Sequence, residues 1–421
     1  MASKFGWIDF SNDERRQMLR IVDLFNQQDT RDELGVGTIR DAFANHFFPG
    51  TSTIQTRVRY FLFVPWIYQE VEQRMSRTRW SAERFSQEVA CREKKLIRAL
   101  EAGGEQEGVI GIEAKEKLQR LPSNIYWTGL HALKIRLVEG SQSQYERYIS
   151  YYHRNSRSEA SGMNSLSKEH DEPALEKNGS GWHPGIPKAP AKLLEVATLK
   201  LSRKEAAYLR DRILQSHGDS LMASLLLDAD DTMDTSFLWQ HPIIDSLPEK
   251  LQNSVLHARN FSETIHGAAL LYNLMLSEAK ESDDGIDKYS NWLDQWALEL
   301  SKRWGGIKDW CQNRDAFWET LAIFQSQIPK KTRRFVDNWL SIISETGRPE
   351  KVSENRDAKM LISHRELQLK KKARARLHNF DALARWSGAS GTAQLNYRWG
   401  IAKAHLTDIY TGLKGRKDTN A

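Results

Sequence analysis

Apolar side chains in this chain recur at helical spacing and nowhere alternate with polar ones over the length of a strand, which confines the fold to helices packed on helices. Phe261, Ile265, Ala268, Tyr272 and Leu276 fall on one helical face. So do Trp292, Trp296 and Leu300, then Phe317, Leu321 and Phe324, then Phe335, Trp339 and Ile342. The expected class is all-α, an irregular multi-helix architecture with at most a few short strands. No repeat of fixed period runs through the chain, so a solenoid is not expected.

The first half carries the same signal with clearer punctuation. Ser11 and Glu14 have the spacing of a capping box ahead of Met18, Ile21, Val22 and Phe25, and Ser202 and Glu205 repeat it ahead of Tyr208, Leu209 and Ile213. A helix is expected after Gly37, burying Ile39, Phe43 and Phe47 and stopping at Pro49-Gly50. Thr51 or Ser52 is expected to cap an aromatic helix carrying Arg57, Arg59, Tyr60, Phe61, Phe63 and Trp66, with Pro65 kinking or ending its first half. Two short helices around Pro122-Ser123 fit either a helix-turn-helix module or ordinary bundle packing.

From Arg154 to about Gly181 the apolar pattern gives way to Asn, Ser, Glu, Lys and Gly, and Pro184, Pro187 and Pro190 stiffen the entry to the second half. The expected organisation is an N-terminal helical domain over residues 1–153, a flexible linker or insertion over 154–185, a C-terminal helical domain over 186–415, and a disordered tail over 416–421.

Composition excludes several classes. With 40% hydrophobic residues and 14 Trp, 12 Tyr and 15 Phe, the chain can bury a large core. Its two cysteines lack partners at metal-ligand spacing, which leaves neither a disulfide framework nor a zinc ribbon. The longest apolar run, Tyr60 to Tyr68, is too short to span a bilayer, and the first residues do not form a secretory signal. A cytoplasmic location, no membrane and no cofactor or metal are therefore expected. Sixty-one basic residues stand against 55 acidic ones, a modest excess, so the placement of the cations matters more than their number.

Three blocks together resemble a known family: FGWIDFSNDERRQMLRIVDLF, RDELGVGTIRDAFANHFFPGTSTIQTRVRYFLFVPWIYQ and WSGASGTAQLNYRWGIAKAHLTDIYTGL. With LPSNIYWTGL and WHPGIPKAP they resemble a prokaryotic domain-of-unknown-function family, six-three-six-one in the usual series. The resemblance implies no activity and no catalytic residue. It implies a setting beside helicases and phospholipase-D-like nucleases in genome-defence clusters, with DNA, RNA or a partner protein of the same cluster as ligand.

The densest basic run, His364 to Arg376, holds Arg365, Lys370, Lys371, Lys372, Arg374 and Arg376 against one acid, Glu366. On a helix anchored by Ile362, Leu369, Ala373 and Leu377, these cations could neutralise phosphates and release counterions; otherwise they form a solvated face. The small residues Ser390, Gly391 and Thr392, with Arg398 beside them, could bind a phosphate at a helix start or simply connect two elements. Arg57 and Arg59, next to aromatics, could stack bases or pair with acids inside the core. Glu113 and Lys115, after the apolar Val109 to Ile112, match the Glu-x-Lys pair of metal-dependent nucleases if that segment is a strand. Asp228, Asp230, Asp231 and Asp234 form an acidic knot, read as a surface patch, and His266 is read as a hydrogen-bonded core histidine.

The leading expectation is a non-enzymatic, nucleic-acid-associated or scaffolding component of a prokaryotic, antiviral multi-protein system. A metal-dependent nuclease using Glu113 and Lys115 is the rival, and a pure protein-interaction module binding a helicase or nuclease is the third reading.

Overall fold

The computed structural model describes residues 32–77, 80–160, 181–228, 235–324, 326–346 and 349–415. Among them the regular structure is helical, with no strand, and one antiparallel bridge joins Arg136 to Trp182. The helices are α1 (Gly37–Phe47), α2 (Tyr60–Arg77), α3 (Ala82–Ala102), α4 (Pro122–Ala132), α5 (Gln142–Ala160), α6 (Arg203–His217) and α7 (Leu221–Asp228). They continue as α8 (Glu249–Ala279), α9 (Asp283–Ser301), α10 (Trp304–Gln312), α11 (Asp315–Ile323), α12 (Lys330–Thr346), α13 (Arg356–Arg374), α14 (Phe380–Ala384) and α15 (Trp399–Lys414). The first capping box, Ser11 to Glu14, and most of the linker, residues 161–180, lie outside the described residues; so does the tail from 416.

Contacts divide the chain into two compact units, each built from two separated stretches of sequence. Unit 1 comprises residues 1–43 and 252–395, and unit 2 comprises residues 44–251 and 396–421.

In unit 2, α2 is buried on every side from Tyr60 to Tyr68, which is why the run reads as continuously apolar. The helix does not end at Pro65: it runs on to Arg77. Proline removes one amide and crowds the preceding turn, a cost of about 3 kcal/mol that the burial of Tyr60, Phe61, Leu62, Phe63 and Val64 outweighs. The helix begins at Tyr60, so Arg57 and Arg59 precede it. Arg57 grips Asp408 through Nε and Nη2, at 2.9 and 2.6 Å, while Arg59 donates to Glu205 at 2.7 Å and to the Thr198 carbonyl at 2.6 Å. Both arginines are thus paired to acids and the aromatics beside them are core.

Where the sequence marks helix starts, the atoms agree. Ser202 accepts from the Glu205 amide at 3.3 Å and Glu205 accepts from the Ser202 amide at 2.8 Å, a complete capping box for α6. Helix α4 starts at Pro122, and a carboxylate from α3 completes its first turn: Glu93 accepts from the Ser123 amide at 2.7 Å and from its hydroxyl at 2.9 Å. Trp182, at the head of the proline-rich segment, packs edge-on against Tyr68, Trp127 and Tyr145.

Glu93 has no exposed surface, and burial pushes its carboxyl up to about 8 against the pull of the two Ser123 hydrogen bonds. An acid whose folded value lies above its unfolded value of about 4.5 binds more protons when folded, so its contribution to stability falls as pH rises from 4.5 through 8. Chemical denaturation of the wild type and Glu93→Gln across that range is expected to show the wild type losing stability relative to the variant as pH rises. A constant difference would mean that Glu93 is ionised in the folded protein.

Unit 1 is organised by α8 and by an antiparallel hairpin of α12 and α13. The whole α8 stripe of Phe261, Ile265, Ala268, Tyr272 and Leu276 is buried, and the Trp339 indole of α12 donates to the Thr264 carbonyl at 3.0 Å. On α9, Trp296 and Leu300 face inward but Trp292 is 37% exposed, with Lys288 Nζ 4.5 Å above its ring. Two hydrogen bonds tie the hairpin. Asn355 reaches Thr346 at 3.2 Å where the helices join, and Arg365 reaches Thr332 at 2.8 Å near the start of α12.

Candidate nucleic-acid interface

The six cations proposed from the sequence run do not share one environment, because a buried carboxylate ends α13 in the middle of them. Glu366 has no exposed surface and accepts from the Tyr272 hydroxyl at 2.5 Å, from Lys370 at 3.3 Å, and from the backbone amides of Arg376 and Leu377, both at 2.9 Å. The last two bonds draw the chain back onto the helix it has just left. The bend falls at Lys371, whose backbone sits at φ 57°, ψ 163° inside α13. That region is almost exclusive to glycine, so the lysine backbone is strained by about 1–3 kcal/mol and held there by its surroundings.

A second acid completes the network. Glu33 pairs with Lys370 and accepts from Arg376 at 3.1 Å and from the Ser390 hydroxyl. Burial alone would raise the Glu33 carboxyl, but the hydrogen bonds of Lys370 and Ser390 and the charges of Lys370 and Arg376 hold it below its ordinary value. Burial likewise pushes the Tyr272 hydroxyl up, reinforced by the Glu366 charge.

Arg365 is also internal, 3% exposed. Its Nε donates to the Leu34 carbonyl at 2.8 Å, and Nη2 donates to Gly35 at 3.0 Å and to Thr332 at 2.8 Å, with the guanidinium 5.0 Å from the Phe335 ring centre. Gly35, at φ +66°, is required here: a Cβ would lie 2.7 Å from Arg365 Nη2 and 2.8 Å from Leu369. Arg365, Lys370 and Arg376 therefore hold the fold together. Lys371, Lys372 and Arg374 are exposed.

The structure adds cations that the sequence reading passed over. Lys330, Lys331, Arg333 and Arg334 occupy the start of α12, all exposed, and its first turn has no acid. Since Thr332 touches Arg365 and the hairpin is antiparallel, this end of α12 packs against the middle of α13, from which Lys371 is six residues on. At a rise of about 1.5 Å per residue and about 8–10 Å between packed axes, the two groups fall within ~20 Å of each other. Four cations at the positive end of a helix oppose its dipole and weaken it. The signal was present as the run KKTRR at a helix start; what the sequence lacked was its position next to the other run. Arg333 leans on Trp318, 4.9 Å away, and on Asp337 at 3.9 Å. Lys330, Lys331, Arg334, Lys371, Lys372 and Arg374 have no carboxylate partner among the described residues.

The small-residue turn is tied inward. Ser390 donates its amide to Asn273 Oδ1 at 2.9 Å and its hydroxyl to Glu33, and its carbonyl accepts from Asn273 at 2.8 Å. The carbonyl of Thr392 is 3.0 Å from His266 Nε2, the hydrogen bond expected of a core histidine, and burial lowers the tendency of that ring to protonate. Gly391 is in the left-handed region at φ 64°. Helix α15 begins only at Trp399, so the turn does not open a helix, and a phosphate at Ser390 would face the Glu33 carboxylate. Arg398 belongs to unit 2, where Nη1 donates to Asn45 Oδ1 at 2.7 Å and to the Thr51 carbonyl at 2.8 Å.

Residues Val109 to Ile112 form no strand: turns run over 110–114 and lead into a single turn of 3-10 helix at Lys115–Lys117. Glu113 is exposed there, and Lys115 Nζ pairs with Glu101 at 3.0 Å. No group of three or more His, Cys, Asp or Glu residues that could hold a metal ion occurs among the described residues. Asp230, Asp231 and Asp234 lie outside them, as does the side chain of Asp228. No helix among the described residues is long and apolar enough to cross a membrane.

Two substitutions separate the structural cations from the exposed ones. Arg365→Ala leaves buried carbonyls without donors and is expected to cost about 2–3 kcal/mol in denaturant unfolding. Lys371→Gly relieves the strained backbone and is expected to stabilise by about 1 kcal/mol, after the extra chain entropy of glycine is subtracted. A destabilised Lys371→Gly protein would contradict the strain.

A model of a family described as a family of unknown function, DUF6361, matches residues 2–412 of the chain. No curated protein and no solved structure matches it.

Proposed function

For this chain, which belongs to the DUF6361 family of unknown function, we propose that unit 1 binds the phosphate backbone of nucleic acid at the cationic end of the α12–α13 hairpin. One observation carries the reading: six exposed cations, Lys330, Lys331, Arg334, Lys371, Lys372 and Arg374, come from the two helices of the hairpin with no carboxylate partner among the described residues. Such a cluster repels itself and weakens the folded state, and a polyanion removes that cost while releasing its own counterions.

The side chains supply attraction and position, with no nucleophile or acid–base pair among them, so the proposed role is binding. In a prokaryotic, antiviral assembly of the kind the resemblance implies, a surface of this sort holds DNA or RNA while a helicase or nuclease partner acts on it. Phosphate contacts carry no sequence information, so the affinity is expected to be sequence-independent.

The test is a salt titration of binding to a duplex of mixed sequence. Binding is expected to weaken linearly in log–log terms with rising salt. Replacing Lys371, Lys372 and Arg374 together with Ala is expected to lower affinity at least about 10-fold and to flatten the slope by roughly 2–3 units, near one per lost phosphate contact. Equal affinity and equal slope in the wild type and this variant would remove the hairpin end from the interface.

A further inference from the structure

Phe380 is 82% exposed, the most exposed large apolar side chain among the described residues. Its backbone is nevertheless fixed on both sides. Upstream, the Arg376 and Leu377 amides are held by Glu366, and His378 Nε2 is 2.8 Å from the Ser363 hydroxyl of α13. Asn379 then caps α14, accepting from the Ala382 amide at 3.0 Å, and Ala382 and Leu383 are buried. A ring carried on an anchored backbone and left in water contributes nothing to the core. A polar residue at the first position of α14 would serve the fold as well.

In the chain, exposed cations stand on both sides of the ring. Lys371, Lys372 and Arg374 precede it and Arg385 follows it, all exposed, against one exposed acid in the same stretch, Asp381. Exposed cations with an exposed aromatic between them match the two needs of an unpaired strand, a charged track for the backbone and a flat face for a base. A duplex satisfies only the first, because its base faces are already stacked inside the helix.

We infer that this surface takes single-stranded nucleic acid, with Phe380 as the platform on which a base stacks. The inference rests on the reading of the hairpin end as a phosphate-binding surface and narrows it from nucleic acid in general to unpaired strands. Phosphates run along Lys371, Lys372 and Arg374, and a base farther along the same strand turns onto the Phe380 ring. Because every base has a π-face, the site selects strand state and not sequence.

The experiment compares a fluorescein-labelled oligothymidine with a labelled duplex of equal length, binding the full chain at one salt concentration. The wild type is expected to prefer the single strand. Phe380→Ala is expected to lower single-strand affinity on the order of 10-fold, the usual loss for one stacked base, while duplex affinity and the salt slope stay the same. Phe380→Trp is expected to restore the preference. Since the side chain is outside the core, unfolding midpoints of the variants should match the wild type, which separates lost stacking from lost fold. If Phe380→Ala binds both probes as the wild type does, while the triple alanine variant at Lys371, Lys372 and Arg374 loses both, the phosphate surface stands and stacking is overturned. A partner protein is then the occupant of the ring. If the triple variant loses neither probe, or the wild type binds neither, the underlying surface and the stacking fall together.

Discussion

A carboxyl group with no exposed surface, Glu366, sits five residues before the bend in α13, and it receives donors from a tyrosine hydroxyl, a lysine and two backbone amides. A polar group taken out of water is tolerable only when its atoms find hydrogen-bond partners. Finding them here dictates the path of the chain. The amides of Arg376 and Leu377 reach Glu366 only if the helix breaks before them, and the break falls at Lys371, five and six residues earlier. The exposed turn, the half-buried Arg376 and the projecting Phe380 are consequences of that single constraint.

The same network sorts one basic run into two kinds of residue. Lys370 and Arg376 neutralise Glu366 and Glu33, and Arg365 satisfies the carbonyls of Leu34 and Gly35. These groups are satisfied inside unit 1 and are screened little by salt. Lys371, Lys372 and Arg374 are turned to solvent by the bend and join the cations that open α12. The internal pairs are structural and the external group is open to an anion, although all belong to one stretch of thirteen residues, His364 to Arg376.

The helices were legible because burial imposes period: the α8 stripe, the helix after Gly37 and the Ser202–Glu205 box stand where the spacing places them. Of the two expectations for Pro65, a kink or an end, the end does not occur, since a local rule for proline ignores how much apolar surface a fully enclosed helix gains. Glu113 misled similarly, an apolar tetrapeptide being compatible with tight turns as well as a strand. The candidate site was half legible. Its charge was visible, but the partners that draw Arg376 inward lie far away in sequence, Glu33 being 343 positions distant. No spacing rule reaches that far. The juxtaposition of KKTRR with the later run required the antiparallel hairpin, which is tertiary information.

The central claim is that Glu366 holds the two backbone amides beyond the bend. Residue-resolved amide hydrogen exchange on the full chain measures it directly. The amides of Arg376 and Leu377 are expected to be protected although they lie outside α13, and Glu366→Gln, which exchanges one acceptor oxygen for an NH2 group, is expected to release that protection while the α8 amides remain protected. Exchange at Arg376 and Leu377 as fast as in an unstructured chain, in the wild type, would contradict it.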